Sequence, residues 1–374
     1  MIPYGHQSID ENDVEEVVKV LNSDWLTTGP KVSEFENIIC EYVGCKYAIA
    51  VNSGTSALDI AVSSLDLPKG SEVITTPFTF VATSNALLYN NLKPIFADIK
   101  KDTRNIDPED ILRKITAKTK AIIYVDFAGH PCDIDEIKKI AREYDLRLIE
   151  DASHAFGASY HGKMIGNFAD LTVFSFHPVK PITTGEGGVV VTDNPELAEK
   201  VRLLRNHGID KDAATRYGPD AGWAYDMKML GRNYRMTDIQ AALGISQLKK
   251  LDGFIGRRNE IANLYNELLD GCEFVETPIT KEGVGHGWHI YTVLLNESIN
   301  RNEFFKYMRK NEIGVNVHYI PIYHFSYYRE HFDLDENDFP ETEDVFNRII
   351  TLPIYPGMKD EEVELVVKTI KAWK

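Results

Sequence analysis

The chain has 374 residues, of which 43% are hydrophobic and 26% are charged, and these proportions exclude a disordered chain, a fibrous repeat and a disulfide-rich mini-protein. Lysine and arginine number 41 and aspartate and glutamate 57, so the formal charge is −16. A surface this acidic disfavours non-specific binding to nucleic acid or to anionic membranes, although a single site can still be locally positive.

The start of the chain and its cysteines indicate a cytoplasmic protein. Residues 1–20 lack a basic start followed by an apolar stretch, so we expect no signal peptide. No apolar run approaches the ~20 residues that a membrane span needs. The cysteines show neither CxxC pairing nor zinc-ligand spacing, which predicts free thiols in a reducing compartment, and they are Cys40, Cys45, Cys132 and Cys272.

Residues 45–210 alternate short apolar runs with amphipathic stretches. Strands buried on both faces have this pattern, and the runs are Tyr47–Val51, Glu72–Thr75, Pro94–Ala97, Ala121–Val125, Leu146–Ile149, Leu171–Phe176 and Gly188–Thr192. Helices are expected between most of them, for example over Asp133–Tyr144, and Asn194 followed by a proline predicts a helix over Asn194–Asn206. The alternation predicts an α/β fold with a mostly parallel sheet, helices on both faces and ligands at the carboxyl ends of the strands.

The pattern changes after residue 240. Apolar residues from Leu248 to Leu268 recur at helical spacing and predict one long helix, interrupted if at all by Gly253 or Gly256. The elements expected beyond it are strands over His289–Leu295 and Gly314–Tyr319 and a helix over Asp360–Trp373. We predict a large domain over residues 1–250 and a smaller α+β domain over residues 251–374.

Two segments that follow predicted strands hold candidate site residues. The first segment begins a helix and reads Asn52-Ser53-Gly54-Thr55-Ser56-Ala57-Leu58. Free backbone N–H groups at a helix start suit a phosphate, although an ordinary capped turn has the same pattern. Asp151, in Glu150-Asp151-Ala152-Ser153-His154, stands at the end of a buried strand. Its carboxylate needs a partner there, and a protonated ring nitrogen, a buried arginine or a helix end would each serve.

A third segment, Ser175–Gly188, holds one lysine in a proline-flanked loop between two buried strands. A lysine is usually a solvated surface charge, but Lys180 is expected at the sheet edge that also carries Asp151. A lysine in such a place can have a lowered pKa and act as a Schiff-base nucleophile.

Other cofactor and metal motifs are missing from the sequence. Gly185-x-Gly187-Gly188 lacks the GxGxxG spacing and precedes a strand, which excludes a dinucleotide-binding oxidoreductase. No P-loop or HExxH motif is present. The histidines at 318, 324 and 331 lie among tyrosines without a convincing set of carboxylate ligands, so we expect no metal site.

The segments NSGTSAL, EDASHA, SFHPVK and GRNYRMTDIQAAL, in this order, resemble the fold-type I pyridoxal phosphate enzymes. Within that class the chain is similar to the DegT/DnrJ/StrS sugar-nucleotide aminotransferases, from Tyr4 to the segment Leu352–Met358. Residues 23–30, the PVKPITTGEGG loop and residues 315–323 resemble the pseudaminic acid branch of the family. Some members remove a sugar hydroxyl and carry histidine in place of the lysine, so Lys180 favours transamination.

The resemblance implies pyridoxal 5′-phosphate as the cofactor. Lys180 would form the Schiff base with its aldehyde and then act as the acid and base of the proton transfer. Asp151 would keep the pyridine nitrogen protonated. Phe80 would stack on the ring, and His154 would lie near the ring hydroxyl. The phosphate would be held by Gly54, Thr55, Ser56 and Ser175 of the same chain, together with Asn233 of the partner subunit. Two of these residues have an alternative role. Phe80 could be a core residue, and Asn233 could be a turn residue before a helix capped by Thr237.

The resemblance also implies a sugar-nucleotide site, formed in part by the N-terminal segment 1–31. Its residues would be Tyr4, Asp24, Trp25, Leu26, Thr27, His318 and Tyr319, with Lys31 and Arg232 at the diphosphate unless these two are merely solvated charges. The implied enzyme is a homodimer with shared active sites.

The implied reaction moves an amino group from L-glutamate to C4 of a UDP-2-acetamido-2,6-dideoxy-4-keto-hexose. The product would be UDP-4-amino-4,6-dideoxy-N-acetyl-β-L-altrosamine, on the route to pseudaminic acid. A different ketosugar remains open: the UDP-linked D-gluco epimer, a dTDP- or GDP-linked sugar, or a 3-keto sugar. A non-catalytic pyridoxal phosphate regulator is disfavoured because Lys180 and Asp151 are both present.

Overall fold

The computed structural model of the protein describes residues 1–210 and 224–373. In chain order the strands are β1 (Tyr47–Val51), β2 (Glu72–Thr75), β3 (Lys93–Phe96), β4 (Thr119–Val125), β5 (Arg147–Asp151), β6 (Ser159–Tyr160), β7 (Lys163–Met164), β8 (Leu171–Ser175), β9 (Gly188–Thr192), β10 (Val275–Glu276), β11 (Val284–Gly285), β12 (Tyr291–Leu295) and β13 (Ile349–Leu352). The helices are α1 (Glu11–Leu21), α2 (Pro30–Val43), α3 (Gly54–Ser64), α4 (Ala82–Tyr89), α5 (Pro108–Lys114), α6 (Ile134–Glu143), α7 (Pro195–Arg205), α8 (Asp238–Leu248), α9 (Leu251–Leu269), α10 (Arg301–Lys310), α11 (Ser326–His331), α12 (Pro340–Arg348) and α13 (Asp360–Lys371).

The large sheet of the described residues has the strand order β1-β9-β8-β5-β4-β2-β3. Strands β8, β5, β4, β2 and β3 are parallel, whereas β9 runs antiparallel to both of its neighbours. Each of the seven apolar runs forms one of these strands, so the predicted mostly parallel sheet is confirmed. Because β9 runs the opposite way, the loop between β8 and β9 lies at the carboxyl edge of the parallel strands.

Both faces of this sheet are covered by helices. Along β1, Ala48 and Ala50 belong to the core on one face, while Ile49 and Val51 belong to the core on the other. This alternation follows from the two-residue period of a strand. Helix α2 contributes to the first core, and α3 and α7 contribute to the second. Burial on both faces explains why these strands read as nearly unbroken apolar runs.

The C-terminal part contains a separate antiparallel sheet of order β10-β12-β13, and a smaller sheet of order β11-β6-β7 lies elsewhere in the described residues. A core cluster formed by residues between 261 and 370 packs around β12 and β13. The division between residues 250 and 251 stays a prediction, and the break between α8 and α9 lies at that point.

Several predicted helices are confirmed. Helix α6 lies within Asp133–Tyr144, and α13 within Asp360–Trp373. Helix α7 begins where expected, because the Asn194 side chain accepts hydrogen bonds from the N–H groups of Glu196 and Leu197. Among the described residues no helix has both the length and the apolar character needed to cross a membrane.

One expectation for the C-terminal part is confirmed and one is wrong. The long helix is α9, which runs unbroken through both glycines, and only Leu248, the first apolar residue of the pattern, lies in the preceding helix α8. Residues 314–319 form no strand and make only an isolated bridge, between Asn316 and Thr351. The N–H of Val317 donates to the side chain of Asn316, so a polar side chain takes the place of a strand partner.

Candidate active site

The carboxyl edge of the large sheet opens into a cavity of about 460 Å³. Asp151 ends β5, Ser175 ends β8, and the start of α3 follows β1. Lys180 enters from the loop between β8 and β9. Residues far apart in sequence meet because each lies at the end of a strand or in a loop at the same edge of the sheet, which is the usual ligand position in such folds.

Asp151 is held rigidly in the wall of this cavity. Its side chain is buried, and Oδ2 accepts a hydrogen bond of 2.8 Å from the Thr83 hydroxyl. Oδ1 accepts from the hydroxyl and the backbone N–H of Ser153, at 2.6 and 3.2 Å. No arginine pairs with this carboxylate among the described residues. The carboxylate is therefore a fixed negative charge that faces the cavity.

The Lys180 amine is partly withdrawn from water. Its Nζ lies 3.5 Å from His289 Nε2. Burial lowers the pKa of Lys180 to about 8, although the negative charge of Asp151 acts in the opposite direction. The neutral, nucleophilic amine is therefore far more populated near neutral pH than in an exposed lysine, although the ammonium form still predominates below pH 8.

The start of α3 forms an anion cradle at the other end of the cavity. The helix leaves the amides of Gly54 and Thr55 without intrahelical carbonyl partners, and both residues line the cavity. A Cβ on Gly54 would lie 2.9 Å from Ser175 Oγ, so glycine is what allows this hydroxyl to approach the helix end. Ser56 serves the helix cap instead: its N–H donates to Ser53 Oγ and its hydroxyl donates to Asn52 Oδ1.

Aromatic and imidazole rings form the opposite wall. Phe80 is 57% exposed, which argues against its alternative role as a core residue, and its ring lies 6.2 Å from that of Tyr319. His154 Nδ1 accepts from the Ala128 N–H at 3.2 Å, and its Nε2 lies 2.9 Å from Tyr319 Oη. Burial and the nearby Lys180 place the pKa of His154 well below its usual value. The neutral ring therefore donates from Nε2 to Tyr319 and leaves the tyrosine hydrogen for another acceptor.

Of the residues expected at the sugar, His318 and Tyr319 line the cavity. The Tyr4 ring lies beside them, with its centroid 5.7 Å from that of His318. His318 Nδ1 is 2.8 Å from Thr351 Oγ1. Burial and Lys180 lower the pKa of His318 to about 4, so this ring is neutral at physiological pH.

The segment Asp24–Thr27 and Lys31 lie away from the cavity of their own chain. Trp25 and Leu26 are exposed, and the segment is fixed to the start of α8, where Asp238 donates its N–H to the Leu26 carbonyl and accepts from the Gly29 N–H. The Lys31 ammonium pairs with Glu34 at 2.8 Å. A role for these residues in substrate binding would require another chain.

Arg232 has a partner other than the expected diphosphate. Its Nε and Nη2 donate to the two carboxylate oxygens of Asp59, at 2.9 and 3.2 Å, and the Tyr234 hydroxyl donates to the same carboxylate. This forked pair neutralises the Arg232 charge and fastens the segment against α3, so the geometry favours a structural role. Asn233 is exposed and outside the cavity, before α8, which Thr237 caps as expected.

The sequence analysis missed three residues that contact or support the predicted ones. Thr83 and Ser153 hold Asp151, and His289 contacts Lys180. His289 begins the strand that the sequence predicts over His289–Leu295, and a histidine at the head of an apolar run is the one signal that the sequence offers.

One histidine and carboxylate group in the described residues has metal-like spacing: His324, Glu336 and Glu343. Arg329 donates to His324 Nδ1 at 2.8 Å, which leaves the ring proton on Nε2, 2.7 Å from Glu343. Both ring nitrogens are thus engaged and a guanidinium stands alongside, so this geometry is a hydrogen-bond network that disfavours a cation.

The sequence profile of the DegT/DnrJ/EryC1/StrS aminotransferase family matches residues 7–371. The chain belongs to this family. Its enzymes depend on pyridoxal phosphate, so the chain is a pyridoxal-phosphate-dependent sugar aminotransferase with the fold-type I architecture.

Individual proteins are similar over their whole length. Protein MJ1066 of Methanocaldococcus jannaschii is 48% identical over 99% of this chain and 97% of its own. The UDP-4-amino-4,6-dideoxy-N-acetyl-β-L-altrosamine transaminase of Campylobacter jejuni (strain 81-176) is 42% identical over 99% of this chain and 96% of its own. The structure of Helicobacter pylori PseC, an aminotransferase of pseudaminic acid biosynthesis, superposes with a TM-score of 0.93 at 35% identity, covering 99% of this chain and 98% of PseC.

Proposed function

We propose that this aminotransferase moves an amino group from L-glutamate to C4 of a UDP-2-acetamido-2,6-dideoxy-4-keto-hexose. The product is then UDP-4-amino-4,6-dideoxy-N-acetyl-β-L-altrosamine, a precursor of pseudaminic acid. Full-length similarity to the Campylobacter transaminase and to PseC supports this choice of sugar. The observation that carries the reaction itself is the meeting of Lys180 and Asp151 in one cavity.

The donor groups of the cavity fit pyridoxal phosphate. The Lys180 amine can react with the aldehyde of the cofactor, and the Asp151 carboxylate can pair with the ring nitrogen. The amides of Gly54 and Thr55, together with the Ser175 hydroxyl, can bind the phosphate. The bound cofactor supplies a carbonyl that captures amines and a ring that withdraws electrons from the adjacent carbon.

In this proposal the protein moves the protons. Lys180 Nζ, which its pKa of about 8 makes easier to deprotonate than an exposed lysine, takes the proton from Cα of glutamate in the first half-reaction. In the second half-reaction it delivers a proton to C4 of the sugar. Asp151, fixed by Thr83 and Ser153, holds a proton at the ring nitrogen, and Phe80 covers the ring and excludes water.

The sugar nucleotide would lie along Tyr4, His318 and Tyr319. Because Asn233 and the segment Asp24–Lys31 do not line the cavity of their own chain, we propose a homodimer in which Asn233 of the partner subunit reaches the phosphate. All four cysteines lie in the described residues and none forms a disulfide there, in keeping with a cytoplasmic enzyme.

The substrate is tested by comparing sugars on the purified enzyme with L-glutamate as donor. We expect the UDP-linked 4-keto sugar of the L-altrosamine route to give a higher kcat/KM than its D-gluco epimer or a dTDP-linked 4-keto sugar. NMR coupling constants of the product would then show the altro configuration. A preference for one of the other sugars, or a product epimeric at C4, would contradict the assigned substrate and leave the reaction class intact.

A further inference from the structure

One buried imidazole touches Lys180 and has no part in the mechanism above. His289 is 4% exposed and lies two residues before the start of β12. Its Nε2 lies 3.5 Å from Lys180 Nζ, whereas its Nδ1 has no hydrogen-bond partner among the described residues. A buried ring nitrogen without a partner is uncommon and calls for an explanation.

The backbone of His289 is held by a second buried side chain. Arg258 of α9 donates from Nη1 to the carbonyl oxygens of Trp288, His289 and Ile354, at 3.0, 3.1 and 3.2 Å. These three hydrogen bonds join α9 to the segment before β12 and to the one after β13. The backbone that carries the His289 ring is therefore held by a residue that does not line the cavity.

The groups around His289 favour its neutral form. The pKa of His289 lies well below its usual value. Burial is the main cause, and the nearby groups that add to it are Lys180, His154, Arg258 and His318. The His154 ring lies 4.4 Å away between centroids and is itself neutral. The negative charge of Asp151 raises the pKa of Lys180, and it is not among the groups that shift the pKa of His289.

A neutral imidazole carries one N–H, on either Nδ1 or Nε2, and its position decides whether His289 donates a hydrogen bond to Lys180 or accepts one from it. With the hydrogen on Nδ1, a buried N–H would have no acceptor, which is costly and rare. With the hydrogen on Nε2, the N–H points to Lys180 Nζ, which can accept it only with a free lone pair. The tautomer that avoids a buried, unpaired N–H is therefore the one that favours the neutral amine.

We propose that His289 is a positioning residue for Lys180: its Nε2–H donates to the lone pair of Nζ, which favours the neutral amine and directs it into the cavity. The inference rests on the proposed role of Lys180 and deepens it. It adds a buried imidazole, held by Arg258, to the groups that prepare this lysine for reaction.

The first test measures how readily the Lys180 amine reacts. The full-length chain, freed of cofactor, is labelled with acetic anhydride over a range of pH, and acetylation of Lys180 is quantified by mass spectrometry. We expect His289→Phe to move the midpoint of labelling to higher pH, with labelling near neutral pH slowed about tenfold for each unit of that movement. His289→Gln, which restores an N–H donor, should retain the wild-type midpoint.

His286→Phe is the matched control. His286 is also buried and lies three residues away, stacked on Trp288, and it has no contact with Lys180. An unchanged or lowered midpoint in His289→Phe would overturn the proposal, and so would an equal shift in His286→Phe.

A second measurement requires no folded variant at position 289. In protein labelled with ¹⁵N-histidine, the nitrogen shifts of His289 report its tautomer directly. Above pH 8, where the Lys180 amine is mostly neutral, we expect the Nε2–H form, and an Nδ1–H form or an imidazolium there would overturn the proposal. Neither measurement uses glutamate or a sugar, so failure of this inference leaves the glutamate reaction unaffected and can be told apart from failure of the proposed function.

Discussion

At the scale of single residues, burial gives two common charged side chains unusual properties. Lys180 loses hydration and with it part of its affinity for a proton, whereas Asp151 is anchored by two hydroxyl groups and keeps both oxygens hydrogen-bonded. Both were predictable from sequence, because each lies within a few residues of the end of an apolar run. His289 was not predictable, because it reaches Lys180 from 109 positions along the chain and only the fold joins them.

Asp151→Asn tests the fixed negative charge. The amide retains the size of the side chain but cannot hold a proton at a ring nitrogen, so we expect kcat to fall by roughly 10²–10⁴-fold while the cofactor still binds. Single-turnover absorbance changes with glutamate measure this.

The control is Asp126→Asn. Asp126 is a buried aspartate that follows the neighbouring strand β4, accepts from the Cys132 N–H and does not line the cavity. A wild-type rate in Asp151→Asn, or an equal loss in Asp126→Asn, would contradict the role given to Asp151.

At the scale of elements, the strands of the large sheet were predictable because burial on both faces leaves a continuous apolar signature. One helix boundary and one strand were not predictable. The apolar pattern continues from Leu248 into α9, although α8 ends at Leu248 and α9 begins at Leu251. Residues 314–319 have β-forming side chains, but Asn316 bonds the next amide and the segment makes only an isolated bridge.

Gly54→Ala tests the start of α3 as a phosphate cradle. The added methyl group would meet the Ser175 Cβ at 2.8 Å and push the Ser175 hydroxyl away from the helix end. We expect the dissociation constant of pyridoxal phosphate to rise by about tenfold or more, a change of the size that strain at a packed contact produces. A titration followed by absorbance measures it.

Gly253→Ala is the matched control, because an added Cβ there meets nothing within 4 Å and the residue lies inside α9. It should increase the free energy of unfolding by about 0.5–1 kcal/mol and leave cofactor affinity unchanged. Wild-type affinity in Gly54→Ala would refute the cradle.

At the scale of the whole molecule, stability depends on a buried acid on β5 next to Asp151. Glu150 accepts from the Thr172 hydroxyl at 2.8 Å, and its Oε1 has no partner among the described residues. Burial raises its pKa to about 7. The folded chain therefore holds a proton that the unfolded chain releases near pH 4.5, so this group makes folding less favourable as the pH rises from there to about 7.

Glu150→Gln should remove that dependence. Glutamine cannot ionise, so above pH 7 we expect the variant to exceed the wild type in free energy of unfolding, by on the order of 1–3 kcal/mol. Urea unfolding at a pH below 5 and at one above 7 measures the difference, with the exposed Glu364→Gln as control. A variant as sensitive to pH as the wild type in this window would show that Glu150 is not the group responsible.

The proposed dimer predicts complementation between two inactive chains. If each site combines Lys180 of one chain with Asn233 of the partner subunit, then mixing Lys180→Ala with Asn233→Ala restores one complete site per mixed dimer. Random assortment would restore about one site in four. Activity that does not exceed the sum of the separate variants would contradict a shared site, provided that native mass spectrometry detects mixed dimers.

The most direct test of the account is the visible spectrum of the purified protein, recorded before and after L-glutamate, with Lys180→Ala measured alongside. We expect an absorption band of lysine-bound cofactor that glutamate bleaches and the UDP-linked 4-keto sugar restores. In Lys180→Ala that band should be missing. A wild-type band that glutamate leaves unchanged would contradict glutamate as the amino donor, and a band that survives in Lys180→Ala would contradict the central role of this lysine.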